Sequence, residues 1–231
     1  DMLDSTNTQC RRLAAEGVMD AVVTADCQTA GRGRMGRSFQ SPPGLGLYLS
    51  VLWRTGLRTD TLPMVTPLAA VAVCRAVERV CGLRCGIKWP NDLVMQNRKL
   101  CGVLTELELE AETGLPRYVI VGIGTNVLQT EADFGPEVAP IAISLEQALG
   151  QAPARTALAK EILRAMDDLY RDFPQEKAQY LEQYRRDCLT LGRPVTVLRS
   201  SGARNGFATG INEDFSLTVR WEDGTEEALS A

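Results

Sequence analysis

Two kinds of apolar spacing run along this chain of 231 residues, and they divide it between Cys188 and Pro194. Before that point, helical stretches alternate with short apolar runs. Thr8 to Glu16 predicts a helix, with Ser5 or Thr6 as a cap whose side-chain oxygen can accept an orphan N–H of the first turn. Ala21 to Ala25 and Leu47 to Trp53 are short, apolar and β-rich, the pattern of strands. Thr66 to Cys81 predicts a helix with Thr66 as cap and Pro67 in its first turn. It is apolar nearly all round from Leu68 to Cys74, so it is expected to be buried. Gly86 to Trp89 and Leu93 to Met95 read as strands around Pro90-Asn91-Asp92. Gln96-Asn97-Arg98 reads as a hairpin turn into a strand from Leu100 to Leu107. Tyr118 to Gly124 is a further strand. A loop containing Pro136 and Pro140 leads to helices near Arg155 to Phe173 and Gln175 to Arg186. From Pro194 the period changes. Strands at Val195 to Arg199, Gly206 to Ile211, Leu217 to Trp221 and Glu226 to Leu229 are separated by turns at Ser200-Ser201-Gly202, Asn212-Glu213-Asp214 and Glu222-Asp223-Gly224. The expected division is a larger domain over residues 1–187 and a small all-β domain over residues 188–231.

Composition narrows the chemistry. Hydrophobic residues make up 45% and charged residues 23%, as in ordinary globular proteins. No apolar run approaches the roughly 20 residues that span a bilayer. No charged-then-apolar leader opens the chain, so a cytoplasmic location with no membrane partner is expected. The net charge of −4 argues against a non-specific nucleic-acid binder. Seven cysteines, an odd number set largely in apolar stretches, read as reduced, buried, small hydrophobes. There is no histidine. That excludes Ser-His-Asp and Cys-His nucleophilic systems, histidine acid–base catalysis and His-ligated zinc.

Cations, amides and carboxylates therefore carry whatever chemistry occurs. Gln28 to Gly46 holds five glycines, two prolines and three arginines and reads as a long loop. Gly31 to Gly36 matches GxGxxG, but Arg37-Ser38-Phe39-Gln40-Ser41-Pro42-Pro43 does not open a helix, so the dinucleotide fingerprint fails its own context. Arg32, Arg34 and Arg37 matter more: glycines allow close backbone approach, and guanidinium forks match phosphate or carboxylate oxygens. The bland alternative is a solvated basic loop. Lys88-Trp89-Pro90-Asn91-Asp92 is either an ordinary strand–turn or a nucleotide site with Asp92 helping to hold Mg²⁺. Lys99 begins an apolar strand in which Gly102 opens one face to a ligand. Asn126 is either a turn residue or a ligand contact.

Together these segments resemble the biotin protein ligase family. Ser5-Thr6-Asn7, Gln28 to Arg37, Lys88 to Leu93, Arg98 to Gly102 and Gly124-Thr125-Asn126 stand in the order found there, and the likeness covers essentially the whole chain. The resemblance implies an α+β fold, with a mixed β-sheet flanked by helices, like that of class II aminoacyl-tRNA synthetases, followed by a small SH3-like β-barrel. It implies an ATP-dependent, AMP-forming ligase that makes biotinyl-5′-AMP with Mg²⁺ and passes biotin to a lysine of a biotin carboxyl carrier domain. Ser5, Thr6, Asn7, Gln28, Gly31, Arg32, Gly33, Arg34, Lys99 and Gly102 would serve biotin. Arg32, Arg34, Arg37, Phe39, Lys88, Asn91, Lys99 and Asn126 would serve ATP. Lys99 and Arg34 would be catalytic, and Asp92 would meet the metal.

The pattern departs from the family in three places. Phe39 stands where many relatives have a tryptophan, Cys101 replaces a common alanine, and no DNA-binding helix-turn-helix precedes Ser5. No DNA partner is therefore expected from this chain, and a homodimer is left open. Competing readings are a lipoate ligase or acyltransferase, a repressor fragment, and a nucleotide-binding module that forms no adenylate.

Overall fold

A computed structural model describes residues 1–54, 59–110, 112–200 and 202–230. The first half of the chain forms β1 (Met2–Leu3), α1 (Thr6–Ala15), β2 (Ala21–Ala25), β3 (Cys27–Gln28), β4 (Gly46–Trp53), α2 (Leu62–Cys81), β5 (Gly86–Lys88), β6 (Asp92–Met95) and β7 (Arg98–Leu109). The second half forms β8 (Pro116–Asn126), α3 (Glu131–Val138), α4 (Leu145–Leu149), α5 (Arg155–Asp172), α6 (Lys177–Asp187), β9 (Pro194–Arg199), β10 (Gly202–Ile211), β11 (Leu217–Trp221) and β12 (Glu226–Leu229).

The main sheet has six strands in the order β2-β4-β8-β7-β6-β5. All its strand-to-strand pairings are antiparallel, and among the described residues parallel pairing is found between β1 and β3 and at the single bridges Ile87–Cys188 and Lys99–Ala142. The main sheet, expected to be mixed, is therefore antiparallel in all its ladders, and the parallel β1–β3 pair is a separate two-stranded sheet. Successive side chains on a strand point to opposite faces. On one face Leu47, Leu49, Val51 and Trp53 of β4 join Cys101 and Val103 of β7 and Val119, Val121 and Ile123 of β8 in the main core. There α2 packs, with α5 and α6 behind it. On the other face Leu52, Tyr118 and Ile120 meet Cys10 and Ala14 of α1. Beyond α1 this second face is open and forms the floor of a cleft.

α2 starts at Leu62 rather than Thr66, with Pro63 in the first turn and Pro67 inside the helix. A first-turn proline forfeits nothing, because that N–H has no helical partner. Pro67 does lose a bond, and the unbroken burial of Leu68 to Cys74 holds the helix through it. The segment read as a loop around Pro136 and Pro140 contains α3, kinked at Gly135 with φ +71°, and α4. Ser144 and Gln147 cap α4 reciprocally, each side chain taking the other's backbone N–H at 3.2 and 3.0 Å.

The C-terminal strands pair in sequence as an antiparallel sheet, β12-β11-β10-β9. Among the described residues no ladder joins β9 to β12, so the small domain expected as a barrel is an open four-stranded sheet. It does not need to close on itself, because Ala208, Ile211, Phe215, Leu217, Val219 and Trp221 pack into the main core. Ser201 of the expected Ser200–Gly202 turn lies outside the described residues. No helix among the described residues is long and apolar enough to cross a membrane.

Candidate active site

Glycines on facing strands make the cleft floor. Across the sheet, Tyr48 pairs with Gly124, Gly124 with Gly102, and Gly102 with Asp92. Two missing side chains in one row leave bare backbone between an aromatic wall and a charged one. The next row runs Ser50, Gly122, Leu104. A Cβ on Gly122 would stand 2.1 Å from Asn7 Oδ1, so Asn7 can lie on the sheet only because that residue is glycine. Phe39 uses Gly124 in the same way, its ring edge 2.7 Å from where a Cβ would be. The resulting cleft has a volume of about 650 Å³, within the range of small-molecule sites.

One wall is polar and comes from the N-terminus. The two-residue pairing of β1 with β3 brings Ser5, Thr6 and Asn7 beside Gln28. Gln28 Oε1 accepts from the Thr6 backbone N–H at 2.9 Å and lies 3.2 Å from its hydroxyl, while its Nε2 donates to Ser41 Oγ at 2.8 Å. Ser50 Oγ stands 2.6 Å from Asn7 Oδ1 and 2.7 Å from Thr6 Oγ1. Ser5, Thr6, Asn7 and Ser50 are all buried. The wall is therefore a set of fixed donors and acceptors suited to a neutral polar group with several hydrogen-bonding atoms.

The glycine–arginine segment is a short hairpin rather than an irregular loop. Gly33 N–H donates to Arg37 O at 2.7 Å, and Phe39 N–H donates to Gly31 O at 2.9 Å. A Cβ on Gly31 would stand 2.2 Å from Phe39 O, so glycine is required there. The hairpin tip, Met35 and Gly36, has φ of +55° and +74°, and Met35 is exposed. Arg34 donates to Asn91 Oδ1 at 3.2 Å, and Asn91 Nδ2 donates to Val103 O at 2.8 Å. Burial pulls the Arg34 pKa down, and the nearby charge of Asp92 opposes that shift. Arg32 pairs with Glu106 at 3.0 Å.

Opposite the polar wall, Lys99 Nζ is 2.7 Å from Asp92 Oδ1, with both side chains partly exposed. The Lys99 tip would be 3.2 Å from a Cβ on Gly102, so the ammonium lies against bare backbone. The Lys99 main chain is held on both sides, its N–H donating to Ile141 O at 2.7 Å and its carbonyl accepting from Ile143 N–H at 2.9 Å. The Lys88–Asp92 turn is pinned by the C-terminal part of the chain. Trp89 Nε1 donates to Phe215 O at 3.0 Å, and the Tyr184 hydroxyl donates to Pro90 O at 3.0 Å.

Ser5, Thr6, Asn7, Gln28, Arg32, Gly33, Arg34, Arg37, Phe39, Lys88, Asn91, Asp92, Lys99 and Gly102 all line this one cleft. Gly31 and Asn126 do not. Gly31 is buried at the base of the hairpin. Asn126 is also buried, and its amide donates to the carbonyls of Lys99 at 3.3 Å and Ile143 at 3.2 Å. It supports Lys99 from behind, as the last residue of β8 and not as a turn residue. Cys101 lies directly under the floor, where burial pushes its thiol pKa up to about 12 and leaves it an inert packing residue. Among the described residues no group of three or more Cys, Asp or Glu side chains could hold a metal. Asp92 offers a single carboxylate, which suits Mg²⁺ only when phosphate oxygens complete its shell. Pattern reasoning missed Ser50 and Glu106. Glu106 carried a legible signal, since it shares the period-2 face of Gly102 and Leu104.

Fold and cleft together define an α+β domain that binds a small molecule and carries cations where an anion would sit. Residues 1–126 match the model of the biotin/lipoate A/B protein ligase family. The whole chain is 35% identical over 233 residues to the bifunctional ligase/repressor BirA of Bacillus subtilis (strain 168), covering 71% of that protein. It is 34% identical to the biotin--[acetyl-CoA-carboxylase] ligase of Mycobacterium tuberculosis, over 93% of this chain and 79% of that one. The biotin protein ligase from Aquifex aeolicus in complex with biotin and ATP superposes with a TM-score of 0.82 at 29% identity, over 100% of this chain and 94% of that chain. The chain belongs to the biotin/lipoate A/B protein ligase family.

Proposed function

We propose that this protein is a biotin protein ligase that activates biotin with ATP and transfers it to a lysine of a biotin carboxyl carrier domain. The observation that carries this reading is the pairing of two unlike ends in one cleft. A fixed polar pocket of Ser5, Thr6, Asn7 and Gln28 lies across bare glycine backbone from the Lys99 ammonium and the hairpin arginines. That arrangement suits a ligand with a neutral urea-like end and a carboxylate tail.

In the first half-reaction a biotin carboxylate oxygen bonds to the α-phosphorus of ATP, and the bond from that phosphorus to the bridging oxygen breaks to release pyrophosphate. Two anions must approach, so Lys99 bridges their oxygens and the Arg32 and Arg34 guanidiniums offset the charge. Fixed electrostatics and positioning can carry such a step without a protein nucleophile. Phe39 offers a ring for the adenine, while Arg37, Lys88 and Asn91 serve the phosphates and nucleotide. Gly31 and Asn126 act from below, the one shaping the hairpin and the other fixing Lys99. Mg²⁺ would be held by Asp92 with the phosphates and would supply charge neutralisation. In the second half-reaction the acceptor amine attacks the acyl carbon, AMP leaves, and the amine loses its proton. The hairpin shields the mixed anhydride from water until then. The working units are residues 1–187 and 188–231, and seven unpaired cysteines suit a reducing, cytoplasmic setting. Pyrophosphate release from ATP should require biotin, and label should then pass to a carrier domain. Release driven by lipoate and not by biotin would overturn this assignment.

A further inference from the structure

Glu106 is engaged at its carboxylate by three neighbouring side chains. It lies two residue pairs along β7 from Gly102 on the cleft-facing side, and its side chain is 18% exposed. Its Oε2 accepts from Asn7 Nδ2 at 2.8 Å. Its Oε1 meets two guanidiniums, Arg11 at 2.9 Å and Arg32 at 3.0 Å. These contacts join the Asn7 side of the polar wall to the Arg32 side chain of the glycine–arginine hairpin.

The consequences follow from donor and acceptor chemistry. An amide can present either its oxygen or its nitrogen to a neighbour, and a carboxylate accepts only. By taking Asn7 Nδ2, Glu106 turns Asn7 Oδ1 toward the Ser50 hydroxyl, 2.6 Å away. That choice propagates to Thr6, whose hydroxyl is 2.7 Å from the same Ser50 oxygen. Arg32 meets Glu106 through one terminal nitrogen. The rest of its planar fork can then face an anion in the cleft.

We propose that Glu106 is a positioning residue for the small-molecule pocket, setting the orientation of the Asn7 amide and holding the Arg32 guanidinium against the cleft. The identity of the ligand rests on the biotin ligase reading; the placement of Arg32 does not. Arg11, which meets the same carboxylate oxygen but does not line the cleft, serves as the structural control.

The test uses the full chain and the variants Glu106→Gln, Glu106→Asp and Arg11→Ala. Glu106→Gln keeps the shape and one acceptor but loses the charge that holds two guanidiniums. It should raise the KM for biotin in pyrophosphate release about tenfold and lower kcat by a smaller factor, because Arg32 also offsets the charge of the reacting anions. Glu106→Asp retains the charge and should recover most of that loss, whereas Arg11→Ala should stay within about twofold of the parent. In a cycle with Arg32→Ala, the Glu106→Gln penalty should shrink below about threefold. A biotin KM unchanged by Glu106→Gln, or a penalty fully additive with Arg32→Ala, overturns the proposal. Modification of Arg32 by phenylglyoxal, read by peptide mass spectrometry without biotin, gives a separate arm. Reactivity should rise in Glu106→Gln, and unchanged reactivity overturns the positioning role. A parent chain that turns over no biotin defeats the ligase reading alone, because the phenylglyoxal arm still decides the role of Glu106.

Discussion

The floor of the cleft and the hairpin over it are built on opposite principles. The floor is β7 and β8 at the centre of a six-stranded sheet, and it gains its shape from side chains that are absent: Gly102, Gly122 and Gly124. Every strand there has paired neighbours on both edges, and a buried apolar layer lies beneath. The hairpin from Gly31 to Phe39 has few backbone bonds, an exposed tip at Met35 and three arginines. Segments with few buried contacts open at low free-energy cost, whereas central strands open only with the whole fold. The division suits a reaction with a reactive intermediate: recognition is preformed, and shielding and extra charge arrive on a segment that can open again.

The largest effect should come from the floor's own cation. Lys99→Ala removes an ammonium whose main chain is clamped by Ile141, Ile143 and Asn126. Loss of one preorganised charge-stabilising donor costs about a hundredfold to a thousandfold in kcat. The Lys99–Asp92 pair is partly exposed, so unfolding stability should change by less than about 1 kcal/mol. Single-turnover formation of the adenylate, set beside a denaturant melt, checks both halves. Parent-like rates would move the chemical role away from the floor.

Next in size is the floor's shape. A Cβ at Gly122 meets Asn7 Oδ1 at 2.1 Å, and Asn7 is held by Ser50 and Glu106, so it has little room to yield. Gly122→Ala should cost about 1–3 kcal/mol of stability through overpacking and raise the KM for biotin about tenfold. Gly124→Ala meets only the edge of the Phe39 ring, which is half-buried and can swing aside. Its effect should be smaller and should fall on ATP. Equal effects on biotin from both substitutions would mean that the two glycine rows do not serve separate ends of the ligand.

The same contrast explains what the sequence made legible. Short β-rich runs set between turns marked β2, β11 and β12 with the bounds the structure has, because each is a regular strand with one face against apolar neighbours. The polar wall had no such signal. Thr6 meets Gln28 through a pairing of two residues with two, too short to leave a periodic trace, and only likeness to a family pointed there. The hairpin was read as an irregular loop because its closure depends on a glycine–carbonyl contact at Gly31 and two left-handed residues, not on apolar spacing. Asn126 was ambiguous for a physical reason. An asparagine ending a strand can bond a ligand or backbone equally well, and here its amide is used by the carbonyls of Lys99 and Ile143.

The smallest effect should come from the hairpin, and there the comparison is sharpest. Arg34 holds the hairpin to the Lys88–Asp92 turn through one bond to Asn91, 3.2 Å long and partly buried. Arg34→Gly removes that tie and a cation together, and glycine adds backbone freedom beside Gly33. Neither change touches the polar wall, so the biotin KM should stay within about twofold, while adenylate formation should slow by less than it does in Lys99→Ala. What should change is retention of the adenylate. A partly solvated charge contact is worth up to roughly 1 kcal/mol, which corresponds to escape or hydrolysis about fivefold faster. Trapping biotinyl-5′-AMP on the enzyme and following its loss after dilution measures this directly. Retention equal to the parent would mean that the hairpin does not cover the intermediate, and that water is excluded by the floor and polar wall alone.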